Sequence, residues 1–202
     1  MTPSEVSERL RQAALLPGRP SSDYDLNPGS RIAPPPQLRG AAVLIAVREG
    51  RMGPEVILTK RSSRLKHHPG QIAFPGGKID AGDDGPVAAA LREAREEVGL
   101  PLAQARVLGT LPAHETVTGF SVTPVLAWID GDFAPVAEAG EVEEVFAAPL
   151  AHVGDPARFS IEQRRWLGEM RRYYVVPYGP YYIWGATARM LRALADRMGQ
   201  CG

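Results

Sequence analysis

Between Gly76 and Leu100 the chain reads GGKIDAGDDGPVAAALREAREEVGL, a glycine pair and an acidic loop ahead of an amphipathic helix. At about 100° per residue, Glu93 and Glu97 project from nearly the same side of that helix, with Glu96 just around from them. Val87, Leu91, Ala94 and Val98 recur at spacings of four, three and four and form a separate apolar face. The helix can bury one side and offer three carboxylates on another, the outline of a metal site. Hard anionic oxygens crowded together repel unless they are neutralised. A divalent cation such as Mg²⁺ or Mn²⁺ does this, and Mg²⁺ binds through few carboxylates, several waters and substrate phosphate oxygens. The plainer reading is a solvated acidic face. Against it, Arg92 and Arg95 do not stand four residues after the glutamates, as simple surface pairing favours, and a glycine turn precedes the helix at a defined spacing.

Arg92 to Leu100, REAREEVGL, resembles the second half of the Nudix box, Arg-Glu-apolar-any-Glu-Glu-any-Gly-apolar, at every specified position. The first half departs from the pattern. The span from Gly77 to Arg92 is one residue longer, and Asp83 (or Asp84) stands where the family has a loop glutamate. Upstream, Ile57-Leu58-Thr59-Lys60-Arg61-Ser62, then Lys66, Gly70 and Phe74-Pro75-Gly76-Gly77 resemble the additional motif of coenzyme A pyrophosphatases within the Nudix superfamily. The spacing is kept, and the longer box loop is similar to that subfamily's own. Ile57 replaces a leucine and Lys66 an arginine, which keeps the charge but loses the fork that grips phosphate in bidentate fashion. Looser similarity continues at Thr118-Gly119-Phe120, Val122-Thr123-Pro124 and Trp184 to Ala188.

The resemblance implies an α/β fold, a Nudix-type α/β/α sandwich with a mixed β-sheet. It implies metal-dependent hydrolysis of the pyrophosphate bond of coenzyme A or acyl-CoA, giving 3′,5′-ADP and (acyl-)4′-phosphopantetheine, with Mg²⁺ or Mn²⁺ as cofactor. Glu93 and Glu97 would be the main metal ligands, Glu96 would bind directly or through water, and a Gly77 carbonyl could be a further ligand. Arg92 would orient a glutamate through a bidentate salt bridge. Gly76 and Gly77 would let backbone approach metal or phosphate closely. Arg61, Arg64, Lys66, Gly70 and Phe74, with the two glycines, would bind substrate. The alternatives are another nucleoside diphosphate derivative, such as ADP-ribose or NADH, and a non-catalytic Nudix-fold nucleotide sensor. Sensors often lose a box glutamate, and this chain keeps all three. For the general base, the resemblance implies a box glutamate or a carboxylate from a later loop; for the latter Glu115, Glu141, Glu143 and Glu144 are candidates that spacing alone does not separate.

Arg61, Arg64 and Lys66 place three positive charges within six residues, interleaved with His67 and His68. Coenzyme A carries a 3′-phosphate besides its pyrophosphate, so fixed cations and a metal are both needed. The histidines suit loop structure or substrate contact better than an oxygen-preferring metal. Five of the six tyrosines lie between Tyr173 and Tyr182; strand packing is the favoured reading, with adenine stacking or a homodimer contact as alternatives. Trp184 reads as core.

With 202 residues, 44% hydrophobic content and zero formal net charge, the chain has enough length for a real core and no basic excess for nucleic acid or membrane surfaces. The single cysteine, Cys201, excludes an intrachain disulfide and fits a reducing, cytoplasmic compartment. Residues 1–36 read as an N-terminal helix and a Pro-rich arm, and 37–202 as the hydrolase domain. In the helix, Thr2 caps, Pro3 takes the first position and Glu5 completes a capping box. Ala41–Val47 and Glu55–Thr59 suggest a buried hairpin, Ala105–Leu111 and Val122–Ile129 further strands. Residues 134–144 read as an acidic loop and 145–153 as a short apolar segment. Tyr173–Trp184 suggests strand, turn and strand, and Ala186–Met198 a closing helix.

Overall fold

The computed structural model describes residues 1–29, 37–65, 68–166 and 168–201; the Pro34–Pro36 run, Lys66 and His67 fall outside them. Strand β2 (Arg39–Gly50) is the axis of the sheet. Its central run, Ala41–Val47, is apolar at every position because both faces are covered there. Ala41, Ile45 and Val47 enter one core, and Ala42, Leu44 and Ala46 the other. The period of two along a strand makes this division.

The first core lies beneath α1 (Pro3–Leu15) and α4 (Gly185–Met198), which supply Val6, Leu10, Leu191 and Leu194. The second lies beneath α2 (Gly85–Val98), which supplies Ala89, Ala90, Ala94 and Val98. The architecture is an α/β/α sandwich on a mixed sheet. Around β2, β8 (Phe120–Ile129) runs parallel from Arg39–Phe120 to Arg48–Ile129, and β3 (Gly53–Arg61) antiparallel through a tight turn. Strands β6 (Ala105–Thr110) and β7 (His114–Glu115) pair with β8, and β5 (Gly76–Lys78) pairs with the start of β2. Strands β4 (Ile72–Ala73) and β9 (Val142–Pro149) flank β3, and β1 (Ser21–Ser22) runs beside β7.

The capping box of α1 forms as its sequence indicates: Glu5 N–H donates to Thr2 Oγ1 and Thr2 N–H to Glu5 Oε2. The expected apolar face of α2 packs on the second core, Ala94 and Val98 buried within it, and the buried surface extends beyond that face. Val87 and Leu91 are only partly buried, whereas Ala89, Ala90 and Glu97 are buried. Small side chains let the helix lie close on β2 and β5, and this rotates Glu97 inward. The apolar segment after residue 144 divides into the end of β9 and a single helical turn, α3 (Leu150–Val153).

A second, two-stranded sheet, β10 (Ser160–Trp166) with β11 (Glu169–Val175), stands apart from the first. The sequence does not announce β10, whose residues are all exposed and lack apolar alternation. The second strand expected before Trp184 is absent among the described residues. A Tyr178–Tyr181 turn and a single Val175–Trp184 bridge take its place. The arm between α1 and β2 brackets the hairpin. Asn27 Nδ2–H donates to the Arg172 carbonyl (2.9 Å), and the Arg172 N–H donates to Asn27 Oδ1 (2.8 Å). The arm is pinned in turn by fully buried His114, which bonds Ser21 Oγ (2.9 Å) and Asp23 Oδ1 (3.1 Å).

Candidate active site

Strand β5 passes directly against α2, and its glycines permit the approach. A Cβ built on Gly77 would collide with Glu93 Oε1 and stand 2.6 Å from its carboxyl carbon. One on Gly76 would strike the Ala42 carbonyl and stand 2.6 Å from Val43 Cα. The Gly76 N–H is left facing Glu97 and donates to Oε2 at 3.2 Å. Glu97 is 5% exposed, and burial pushes its carboxyl up to about 7. The Gly76 N–H opposes this shift, the Glu93 charge adds to it, Arg61 opposes it and Glu141 adds to it. Burial likewise raises Glu93, against the pull of Arg92.

Arg92 is the hub of this end of the site. Its Nε and Nη2 grip the two oxygens of Asp83 at 2.9 Å each, while Nη1 donates to Glu93 Oε1 (2.9 Å) and Glu96 Oε2 (3.2 Å). The bidentate bridge thus closes on Asp83 and not on a glutamate, because the loop sets that carboxylate along the Nε–Nη2 edge of the guanidinium. Asp83 also accepts from Asp80 N–H at 2.8 Å, which fixes the loop. The pairing with Glu96 is an i,i+4 contact in the reverse order, arginine before glutamate.

The donor set fits a divalent cation of the Mg²⁺ class: hard carboxylate oxygens four residues apart on one helix, with Glu97 buried and the Glu93 charge adding to its cost of ionisation. Among the described residues no three such side chains close into a ready cage. Arg92 draws Glu93 and Glu96 toward itself instead. Glu93 and Glu97 would hold the ion, with Glu96 at its flank.

Arg61 ends β3 at a bulge and projects from the electrostatic neighbourhood of Glu97 into a cavity of about 360 Å³. Among the described residues its Nε is buried without a hydrogen-bond partner. Val43, Ile72 and Phe74 give the cavity an apolar floor, and none of the three glutamates lines it. Gly70 closes the preceding loop at φ 68°, a conformation that favours glycine, and donates its N–H to the Arg61 carbonyl (3.1 Å). Arg64 does not join the lining; it reaches the Ala139 carbonyl at 3.3 Å. The structure therefore brings Arg61, Phe74, Gly76 and Gly77 toward one region and turns Arg64 away from it.

The carboxylates considered as base separate by their neighbours. Glu143 is held by Lys60 at 2.6 Å and by the Ser63 N–H, and Glu144 accepts from the Tyr181 hydroxyl. Glu115 lies on β7, paired with β1 and β8. Glu141 is the candidate whose charge reaches both Glu93 and Glu97. Its backbone carbonyl is tied to the Ser62 N–H at 2.8 Å.

Of the tyrosines, Tyr181 packs flat on Phe146 (3.5 Å between centroids), whereas Tyr173 lines the cavity and meets Trp184 edge-on. Trp184 lines the cavity too, so it is not simply core. Sequence reasoning passed over Arg164, Trp166 and Arg171 of the hairpin, which complete the wall. The interleaving of basic and aromatic residues in RRW and MRRYY was the available signal.

Residues 37–169, more than half of the chain, match the NUDIX domain family model. The chain belongs to the Nudix family. It is 43% identical over 164 residues to an uncharacterized Nudix hydrolase, NudL, of Escherichia coli (strain K12), a match covering 80% of this chain and 83% of that protein. NudL of Citrobacter koseri is also 43% identical, over 161 residues, with the same coverage. The MutT protein from Methanosarcina mazei Go1 shares the fold, at 17% identity and a TM-score of 0.51, covering 83% of this chain and 97% of its own. This Nudix protein is accordingly a pyrophosphatase, a hydrolase acting on nucleoside diphosphate derivatives, and Nudix hydrolases generally use divalent metal ions. Among the described residues no helix is long and apolar enough to cross a membrane.

Proposed function

We propose that this Nudix hydrolase cleaves the pyrophosphate of coenzyme A or acyl-CoA into 3′,5′-ADP and (acyl-)4′-phosphopantetheine, with Mg²⁺ or Mn²⁺ held by Glu93 and Glu97, Glu96 beside them and the Gly77 carbonyl within reach. The observation that carries this reading is Arg61. A guanidinium with an unpartnered buried Nε, beside a buried glutamate and facing an apolar-floored cavity, suits one phosphate of a substrate with a long apolar arm. Further support is that Arg61 and Phe74, both from the motif resembling coenzyme A pyrophosphatases, line that cavity.

When bound, the cation neutralises charge on the phosphoryl oxygens and acidifies a water. Arg92 holds Glu93 and Glu96 in place, Arg61 binds and orients the pyrophosphate, and Glu141 takes the proton of the attacking water. The substrate is a small molecule in the cytoplasm, and neither nucleic acid nor membrane takes part.

The test is a substrate panel of coenzyme A, ADP-ribose, NADH and diadenosine polyphosphates with Mg²⁺ or Mn²⁺, with products separated by chromatography. Coenzyme A should yield 3′,5′-ADP. Turnover of ADP-ribose with coenzyme A untouched refutes the substrate. Glu97→Gln should lower kcat by about a hundredfold or more, and Glu141→Gln should lower kcat by about a hundredfold with little change in KM. If Glu144→Gln has that effect and Glu141→Gln does not, the base is misassigned.

A further inference from the structure

The β10–β11 hairpin is in register from Ser160–Val175 to Trp166–Glu169, which sets Arg164 directly opposite Arg171. Residues opposite one another share a face, so Arg164, Trp166, Arg171 and Tyr173 all lie on one side, and all four line the cavity. Like charges directly opposite are destabilising in a β ladder. No ion pair offsets them: among the described residues, the interactions of these two guanidiniums are with rings, and Asp23, which also lines the cavity, is bonded to His114 and the Val117 N–H. Arg164 stands 4.2 Å above Trp184, and Arg171 lies 5.0 Å from Trp166 and 5.3 Å from Tyr24. Of the two glutamates on that face, Glu162 is taken by the Tyr182 hydroxyl at 2.6 Å, and Glu169 stands exposed at the turn opposite Trp166. A pair of uncompensated guanidiniums with two indoles beside them presents what an anionic, aromatic ligand needs: bidentate donors for phosphate and flat faces for a base.

We infer that the inner face of this hairpin is the nucleotide subsite, where Arg164 and Arg171 bind a phosphate monoester carried by the substrate's nucleoside and Trp166 and Trp184 flank its base. The inference rests on the proposed coenzyme A reading for the identity of that monoester, the 3′-phosphate. It also divides the cationic work. Arg61, at the carboxylate end, takes the pyrophosphate, and the hairpin takes the second anionic group.

Two measurements on the full chain test it. In the first, kcat/KM is determined for coenzyme A and dephospho-coenzyme A. The double variant Arg164→Gln/Arg171→Gln should reduce the preference for coenzyme A at least about tenfold, the scale of one lost hydrogen bond to a charged group. Arg165→Gln, on the outward face of the same strand, removes the same kind of charge and should leave the preference as it is. Equal losses on both substrates in the double variant, or an equal effect from Arg165→Gln, overturn the inference.

The second measurement is binding of adenosine 3′,5′-bisphosphate and of 5′-AMP, followed by tryptophan fluorescence. Trp166 and Trp184 are two of the three tryptophans, and Trp128 is buried in the core. The bisphosphate should bind about tenfold more tightly than 5′-AMP, and the double variant should erase the difference. No preference in the unaltered protein, or a preference surviving in the variant, overturns the subsite. Because this readout needs no turnover, it stands even if coenzyme A proves not to be the substrate, and the two failures are told apart.

Discussion

Glu97 sits among the small residues of α2 and β5 with the Gly76 N–H as its hydrogen bond, and its carboxyl lies well above the ordinary 4.5, at about 7. The folded chain therefore keeps a proton that the unfolded chain releases. Stability from this group is highest below about pH 4.5 and is lost as pH rises through 7, the window set by those two values. In chelator-treated protein, Glu97→Gln should be stabilising by on the order of 3 kcal/mol at most at pH 8, and close to neutral at pH 4.5. Urea melts at the two pH values measure this; a variant no more stable than the parent at pH 8 would contradict the buried carboxylate. Adding Mg²⁺ should raise the Tm of the parent more than that of the variant. Gly77 gives a second test at this scale. Since a Cβ there would meet the Glu93 carboxylate, Gly77→Ala should weaken activating-metal affinity about tenfold with the far-UV spectrum unchanged.

Among the elements, α1 and the hairpin depend on different contacts. The first turn of α1 is satisfied by the Thr2–Glu5 box, so Thr2→Ala should cost about 1 kcal/mol in a thermal melt and leave kcat as it is. The hairpin makes no ladder with the main sheet and is held by the arm through two Asn27 bonds to the Arg172 backbone. Asn27→Ala removes both bonds to the Arg172 backbone, which costs about 0.5–1.5 kcal/mol for each locally. The expected result is a raised KM with kcat nearly unchanged, and hydrogen exchange that is faster in β11 than in β2. An effect on kcat alone would mean that the hairpin does not serve binding.

For the whole molecule, the N-terminal helix is part of the packed structure. Leu10 and Ala13 are fully buried, and buried Arg197 of α4 donates its Nε–H to the Ala13 carbonyl at 2.8 Å and an Nη2–H to the Leu16 carbonyl. Burial lowers the Arg197 guanidinium from its usual value, so the two carbonyls hold an otherwise costly charge. Leu10→Ala should cost about 2–5 kcal/mol, by lost transfer energy and a cavity under the sheet. Circular dichroism melts read this directly, and a loss below about 1 kcal/mol would show that α1 is not held in the core.

What the sequence determined by itself is local. Glu93 and Glu97 share a side of α2 because helical spacing sets it, Thr2 and Glu5 cap α1 because they stand three apart, and the Ala41–Val47 run of β2 is apolar because both of its faces are covered. The box and the motif before it were legible as text for the same reason. Burial and convergence belong to the tertiary structure, since each depends on what a distant segment supplies. Packing against β5 turned Glu97 inward and sent the Arg92 fork to Asp83. Loop geometry set Glu141, among four candidate glutamates, where its charge reaches Glu93 and Glu97. Cross-strand register put Arg164 opposite Arg171 over a cavity floored by residues more than eighty positions earlier in the chain. An exposed strand carries no periodicity that water does not already explain, so its place above the cavity could come only from the fold.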